Sequence, residues 1–182
     1  MLFSGYIKTY PLPENYLYGT RDNQALESLA ISPDGTRIYI GTENGLQQED
    51  ASQSHILMLD AESGEALAEW LYPLEDVDGN GLSELLALDE DTLLTLERAY
   101  SRGVGNTIHL FAVDVSKGDS PLAKTPVLAL HEGDYGLDLD NIEGMTWGES
   151  IDGRRTLILV SDNNFNPRSQ PTTQFLVFLV GE

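Results

Sequence analysis

Glu27-Ser28-Leu29-Ala30-Ile31-Ser32, then Pro33-Asp34-Gly35, then Arg37-Ile38-Tyr39-Ile40-Gly41-Thr42-Glu43 is the stretch on which the fold turns. It runs acid, short apolar segment, polar turn, second apolar segment, acid. Apolar runs this short, bounded by Pro, Asp, Gly and Ser, read as two strands joined by a tight turn. The order recurs about every 58 residues. Glu84-Leu85-Leu86-Ala87-Leu88-Asp89 precedes Thr92-Leu93-Leu94-Thr95-Leu96-Glu97. Glu143-Gly144-Met145-Thr146-Trp147 precedes Asp152-Gly153 and then Thr156-Leu157-Ile158-Leu159-Val160-Ser161-Asp162.

Outward from this pair, each unit adds a third strand: His55 to Asp60, His109 to Asp114, and Gln174 to Leu179. Two units add a fourth, Ala66 to Tyr72 and Thr125 to Leu130. The third unit lacks one, and a spare lies at the other end, where Tyr10-Pro11-Leu12 matches Tyr72-Pro73-Leu74. No segment has a convincing helical pattern; Leu82 to Leu88 is rich in helix formers but aligns with strands in both sister units. Four strands per repeat is the signature of a β-propeller. The expectation is an all-β chain of three four-stranded antiparallel blades, about 15–75, 76–132 and 133–182, plus an N-terminal strand 5–12. Propellers close with about 4–8 blades. Three are half of a six-bladed ring, completed by a longer chain or by a homodimer in which Tyr6 to Tyr10 of one copy joins Thr173 to Val180 of the other.

Thirty acidic residues against ten basic ones give a formal charge of −20. That field repels phosphate backbones, so no nucleic-acid partner is expected. It also suits solubility or a salty medium, and it attracts cations. The apolar fraction of 41% is enough for a core. No apolar run reaches the roughly 18 residues of a membrane-spanning helix. Met1 to Tyr6 lacks the basic-then-apolar pattern of a signal peptide, and the compartment is left open. With no cysteine, disulfide and thiolate chemistry are excluded.

The leading acids Glu27, Glu84 and Glu143 and the closing acids Glu43, Glu97 and Asp162 would fall as rings at one end of the blades. Gathered carboxylates repel unless a cation or proton intervenes. Hard oxygen donors in a negative concavity suit Ca²⁺, which could hold a phosphate and activate water. Glu43, Glu143, Asp162 and Asp140 are the candidate metal ligands, and Glu27, Glu97 and Arg98 the candidate catalytic residues. Arg98 could bind a substrate anion or pair with neighbouring acids. Equally, the repeated acids could simply accept turn amides. Asp76-Val77-Asp78-Gly79-Asn80-Gly81 resembles the start of a calcium loop, but Ala87 stands where a bidentate Glu is wanted. His55 and His109 occupy matching places that Gln174 fills in the third unit, and His131 has no visible partner. Gly148-Glu149-Ser150-Ile151-Asp152 half-matches a nucleophile elbow, with Asp152 in place of the final Gly.

Several stretches together resemble a known family. They are Asn23 to Glu27 with Leu29 to Gly35, Leu93 to Arg98 ending Leu-Glu-Arg, Asn141-Ile142-Glu143-Gly144, and Ser161 to Phe165 with Thr173-Gln174-Phe175. The chain resembles the "esterase-like activity of phytase" family, the phytase-like domain proteins, and in particular their C-terminal half. The resemblance implies hydrolysis of a small-molecule phosphoester by recurrent Glu and Asp residues. The alternatives are a non-catalytic binding propeller or an inactive half-propeller. The most informative observation is whether Glu27, Glu43, Glu97, Glu143 and Asp162 converge within coordination distance of one point.

Overall fold

The computed structural model describes residues 8–166, 168, 170 and 172–181. Eleven strands form three antiparallel sheets, each in simple sequential order. The first holds β1 (Leu26–Ile31), β2 (Arg37–Thr42), β3 (Gln53–Asp60) and β4 (Ala66–Pro73). The second holds β5 (Gly81–Ala87), β6 (Thr92–Ser101), β7 (Gly105–Asp114) and β8 (Lys124–His131). The third holds β9 (Ile142–Ile151), β10 (Arg154–Ser161) and β11 (Phe175–Leu179). These are the strands that the repeat anticipates, and among the described residues the third sheet has three. Leu82 to Ala87 of that stretch is indeed strand, because alternate side chains serve two different cores.

Turn chemistry sets the hairpins. Asp152 and Gly153 join β9 to β10 with φ of 51° and 77°. Two consecutive positive φ values define the tight hairpin turn whose twist matches the strands, and Asp-Gly suits it.

Two apolar layers hold the sheets together. Between the first and second lie Ala30, Tyr39, Ile56, Trp70, Leu85 and Leu93. Between the second and third lie Leu94, Leu96, Ile108, Leu110, Met145 and Leu157. Each such side chain, fully buried, stabilises by roughly 1.5–3 kcal/mol. The first strands of the sheets run beside one another, β1 against β5 and β5 against β9.

Two expectations change. Of the strand 5–12, residues 5–7 lie outside the described residues, and 8–12 carry no strand. Instead Tyr10 and Leu12 pack with Tyr16, Leu46, Leu57 and Leu59 on the far side of the first sheet, and the Tyr10 hydroxyl donates to the Ala61 carbonyl at 2.7 Å. The chain also forms one short helix, α1 (Glu14–Gly19). Pro13 ahead of it and the anchored Tyr16, whose hydroxyl donates to Glu69 at 2.7 Å, fix a segment too short to show a period. No helix among the described residues is long and apolar enough to cross a membrane.

Candidate functional site

Three β-bulges build the site. Pairing of β1 with β2 steps from Leu26–Thr42 to Ser28–Gly41, which leaves Glu27 over. β5 and β6 step from Leu82–Glu97 to Glu84–Leu96, leaving Ser83. β9 and β10 step from Ile142–Ser161 to Gly144–Val160, leaving Glu143. A bulge adds one unpaired residue and re-aims its side chain. Here all three line one cavity of about 320 Å³, together with Asn23, Glu43, Arg98 and Asn164.

The bulges also reset the alignment of the repeats. Glu27, Ser83 and Glu143 are equivalent, one step from where the spacing of acids puts Glu84. At the end of each second strand, the Glu43 amide donates to Ala25 and the Asp162 amide to Asn141, each at 2.9 Å. Arg98, paired with Gly81, holds that place in the middle sheet. The middle sheet therefore offers a hydroxyl and a guanidinium where its neighbours offer carboxylates.

Arg98 is the cation of this cavity. Its Nη2 donates to Glu143 Oε1 at 2.8 Å, and Asn141 Nδ2 donates to the same oxygen at 2.8 Å. Its Nε is buried and meets no acceptor among the described residues. Burial pushes the Glu43 carboxyl above its ordinary value, against the pull of Arg98 and with a further push from Glu27 and Glu143. Burial and then the charge of Glu143 do the same to Glu27, with Arg98 again opposing.

These shifts have a sign. A carboxyl whose folded pKa is raised stabilises the fold below its unfolded value, near 4.5, and loses that contribution as pH rises through the folded value. Glu43→Gln is therefore expected to raise the melting midpoint relative to the parent at pH 7, with the gap closing toward pH 4. Thermal melts of both chains across that range check it. A gap that is absent, or that widens in acid, contradicts the reading.

The remaining candidates lie elsewhere. Glu97 is completely buried on the opposite face of β6 from Arg98, since neighbours in a strand alternate. It accepts from the Tyr72 hydroxyl at 2.6 Å, the Glu75 amide at 2.9 Å, Lys124 Nζ at 2.7 Å and Asn80. That is a bond between the first two sheets, and no substrate reaches it. Asp162 stands in the place matching Glu43, but it is exposed and accepts the Asn164 amide at 3.1 Å, while Asn164 itself lines the cavity. Asp140 accepts from the Asn141 amide and Gln170 and lines a larger adjoining cavity, about 750 Å³, which shares Arg98 and Asn164 with the first. Glu84 accepts the Leu85 amide at 2.9 Å; burial holds its pKa above the ordinary value, against the downward pull of the Leu85 amide and of the Leu29 and Met145 amides at the matching places of the flanking sheets. In the calcium-like loop, Asn80 Nδ2 donates to Glu75 O and Glu97. Among the described residues no three of His, Asp or Glu form a group able to hold a metal ion.

Sequence spacing thus found Glu27, Glu43, Arg98 and Glu143 and missed Asn23, Ser83 and Asn164. A signal for Ser83 existed: it follows Leu82 as Glu27 follows Leu26 and Glu143 follows Ile142.

The profile described as esterase-like activity of phytase matches residues 4–165, most of the chain. The chain belongs to the phytase-like family. No curated protein matches this phytase-like chain.

Proposed function

We propose that the chain hydrolyses a small-molecule phosphoester in the cavity ringed by the three bulges, with Ca²⁺ as its cation and the three sheets set as propeller blades about one axis. One observation carries this reading. Arg98 stands among Glu27, Glu43 and Glu143 with a buried Nε that meets no acceptor among the described residues. A buried N–H without a partner is costly, and a phosphoryl oxygen would satisfy it in the fork geometry for which Arg is suited. The side-by-side run of β1, β5 and β9 supports the blade arrangement, and membership of the family supports phosphoester chemistry.

Three carboxylates around one guanidinium leave the cavity negative, so a phosphate needs a cation to accompany it. The donors are all hard oxygens, the chemistry that Ca²⁺ prefers, and Glu43 and Glu143 would hold it. When bound, it supplies charge neutralisation at the phosphate and the leaving oxygen. The chain does the rest. Arg98 binds and orients two phosphoryl oxygens. Glu27, the exposed carboxylate, takes a proton from the attacking water as the new P–O bond forms. The ester P–O bond breaks, and Glu27 returns that proton to the departing alkoxide. The adjoining cavity, with Tyr100, Gln170 and Gln174, accommodates the alcohol.

The test is hydrolysis of an aryl phosphate, and a thermal melt, each in millimolar Ca²⁺ and in EDTA. Turnover is expected only with Ca²⁺. A ligand at a hundred times its dissociation constant stabilises the fold by roughly 2.7 kcal/mol, which raises the midpoint by about 5–10 °C in a chain of this size. Glu43→Gln with Glu143→Gln should remove that rise. Equal midpoints would reject the cation site. A rise without turnover would make the chain a cation-binding module.

A further inference from the structure

We propose that the uncovered face of the third sheet docks onto the uncovered face of the first sheet of a second copy, and reciprocally, so that two chains close one ring. The argument rests on a face-to-face contact that the chain already makes twice. In the first contact Leu85, Ala87 and Leu93 of the second sheet pack with Tyr39, Ile56 and Met58 of the first. In the second, Met145, Trp147 and Leu157 of the third sheet pack with Leu94 and Leu110 of the second.

The strand registers show which residues match these elsewhere. Leu29, Ile31 and Ile38 of the first sheet stand where Leu85, Ala87 and Leu93 do in the second. Ile158, Phe175 and Val177 of the third stand where Tyr39, Ile56 and Met58 do in the first. Burial differs sharply between the two sets. Leu85 and Ile56 are 2% and 0% exposed, whereas Leu29, Ile31, Phe175 and Val177 are 58%, 55%, 67% and 55% exposed. Both uncovered faces thus carry, side chain for side chain, the two halves of one interface. A contiguous apolar face of this kind marks an interaction surface.

The occupant that fits is a second copy, because each face finds its complement on the same chain. The extent also fits. Tyr10, Leu12 and Tyr16 already cover the β3 side of the first sheet's face, which leaves β1 and β2 for the third sheet, three strands wide among the described residues. Using the contact twice gives the closed two-fold symmetry of most homo-oligomers. It also gives the edge strand β11 a neighbouring subunit, where an open edge invites aggregation. Around the shared axis, the bulges of both copies would border one opening.

A particular contact follows. A Cβ on Gly41 would lie 2.9 Å from Leu82 Cδ2 and 3.4 Å from Leu85 Cδ1, so this place faces the next sheet, and in the third sheet the larger Val160 occupies it and reaches further out. Leu29 of one copy should therefore meet Val160 of the other. The chain has no native cysteine, so Leu29→Cys with Val160→Cys can be read without background. Mild oxidation should give a disulfide-linked dimer on a denaturing gel, and neither single variant should link in that way to itself. Sedimentation equilibrium of the parent chain at micromolar concentration should return twice the 20.0 kDa monomer mass. High salt should favour the dimer by screening two strongly acidic chains. Val177→Glu, at an exposed position, should give a monomer with unchanged circular dichroism, and adding Leu29→Lys should restore association. A parent chain that stays monomeric at high salt overturns the proposal, as does a dimer that the Leu29–Val160 cysteines fail to link.

Discussion

Arg98→Gln is expected to lower kcat/KM for phosphoester hydrolysis by on the order of 10²–10³, the loss typical of removing one donor aimed at developing negative charge. Among the described residues the guanidinium is the single basic group lining a cavity with Glu27, Glu43 and Glu143. No other residue there can replace it. Gln keeps some hydrogen-bonding capacity and removes the charge, so the measurement isolates the electrostatic part. Arg98→Lys should recover little, because an ammonium keeps the charge without the fork. A second readout comes from the acids. Arg98 pulls the pKa of both Glu27 and Glu43 down, so without it both rise further. The pH above which activity appears should then shift upward in Arg98→Gln. A steady-state pH profile on an aryl phosphate measures both effects. Full activity in Arg98→Gln would remove the guanidinium from the mechanism.

Lys124→Met is expected to be the most damaging single change to stability. It strips from a completely buried Glu97 the only cation within bonding distance among the described residues. Lys124 Nζ also bonds Glu75 at 2.7 Å and lies 4.1 Å from the Phe111 ring centre. Breaking a buried pair by removing one partner typically costs about 3–5 kcal/mol, which lowers the midpoint by on the order of 10 °C for a chain of this length. Adding Glu97→Gln removes the stranded charge and should recover a large part of the loss. Calorimetry on the two single variants and the double gives the coupling between them. A double variant no better than Lys124→Met alone would mean that the pair does not carry the stability of this layer.

The strands were legible because their signals are local. Apolar runs of five to eight residues, and turns such as Asp152-Gly153, state their conformation within a few positions. The site was legible only in part, and for a definite reason. Sequence spacing aligned acid with acid, and so matched Glu27 to Glu84 and Glu43 to Glu97. The bulges at Glu27, Ser83 and Glu143 show the true register to be one residue away. In a strand, one residue is a change of face. That slip sends Glu97 into the layer between two sheets and brings Arg98 to the cavity. Leu29 and Ile31, which look like core in the sequence, are open for a different reason: among the described residues nothing covers them. Helix α1 was invisible because six residues held by Pro13 and the Tyr16–Glu69 bond show no periodicity.

The exchange of Ser83 and Arg98 for carboxylates in the middle unit has a wider consequence. Tandem copies of a single ancestral unit would surround the opening with equal charges, and an equal ring has no front or back. An anion approaching such a ring would be repelled from every side and oriented by none. Ser83 and Arg98 break that equivalence. They give the cavity an electrical polarity, so that a bound phosphoester would have one preferred way round. Grafting Ser83 and Arg98 into the first unit in place of Glu27 and Glu43 should therefore turn the preferred orientation.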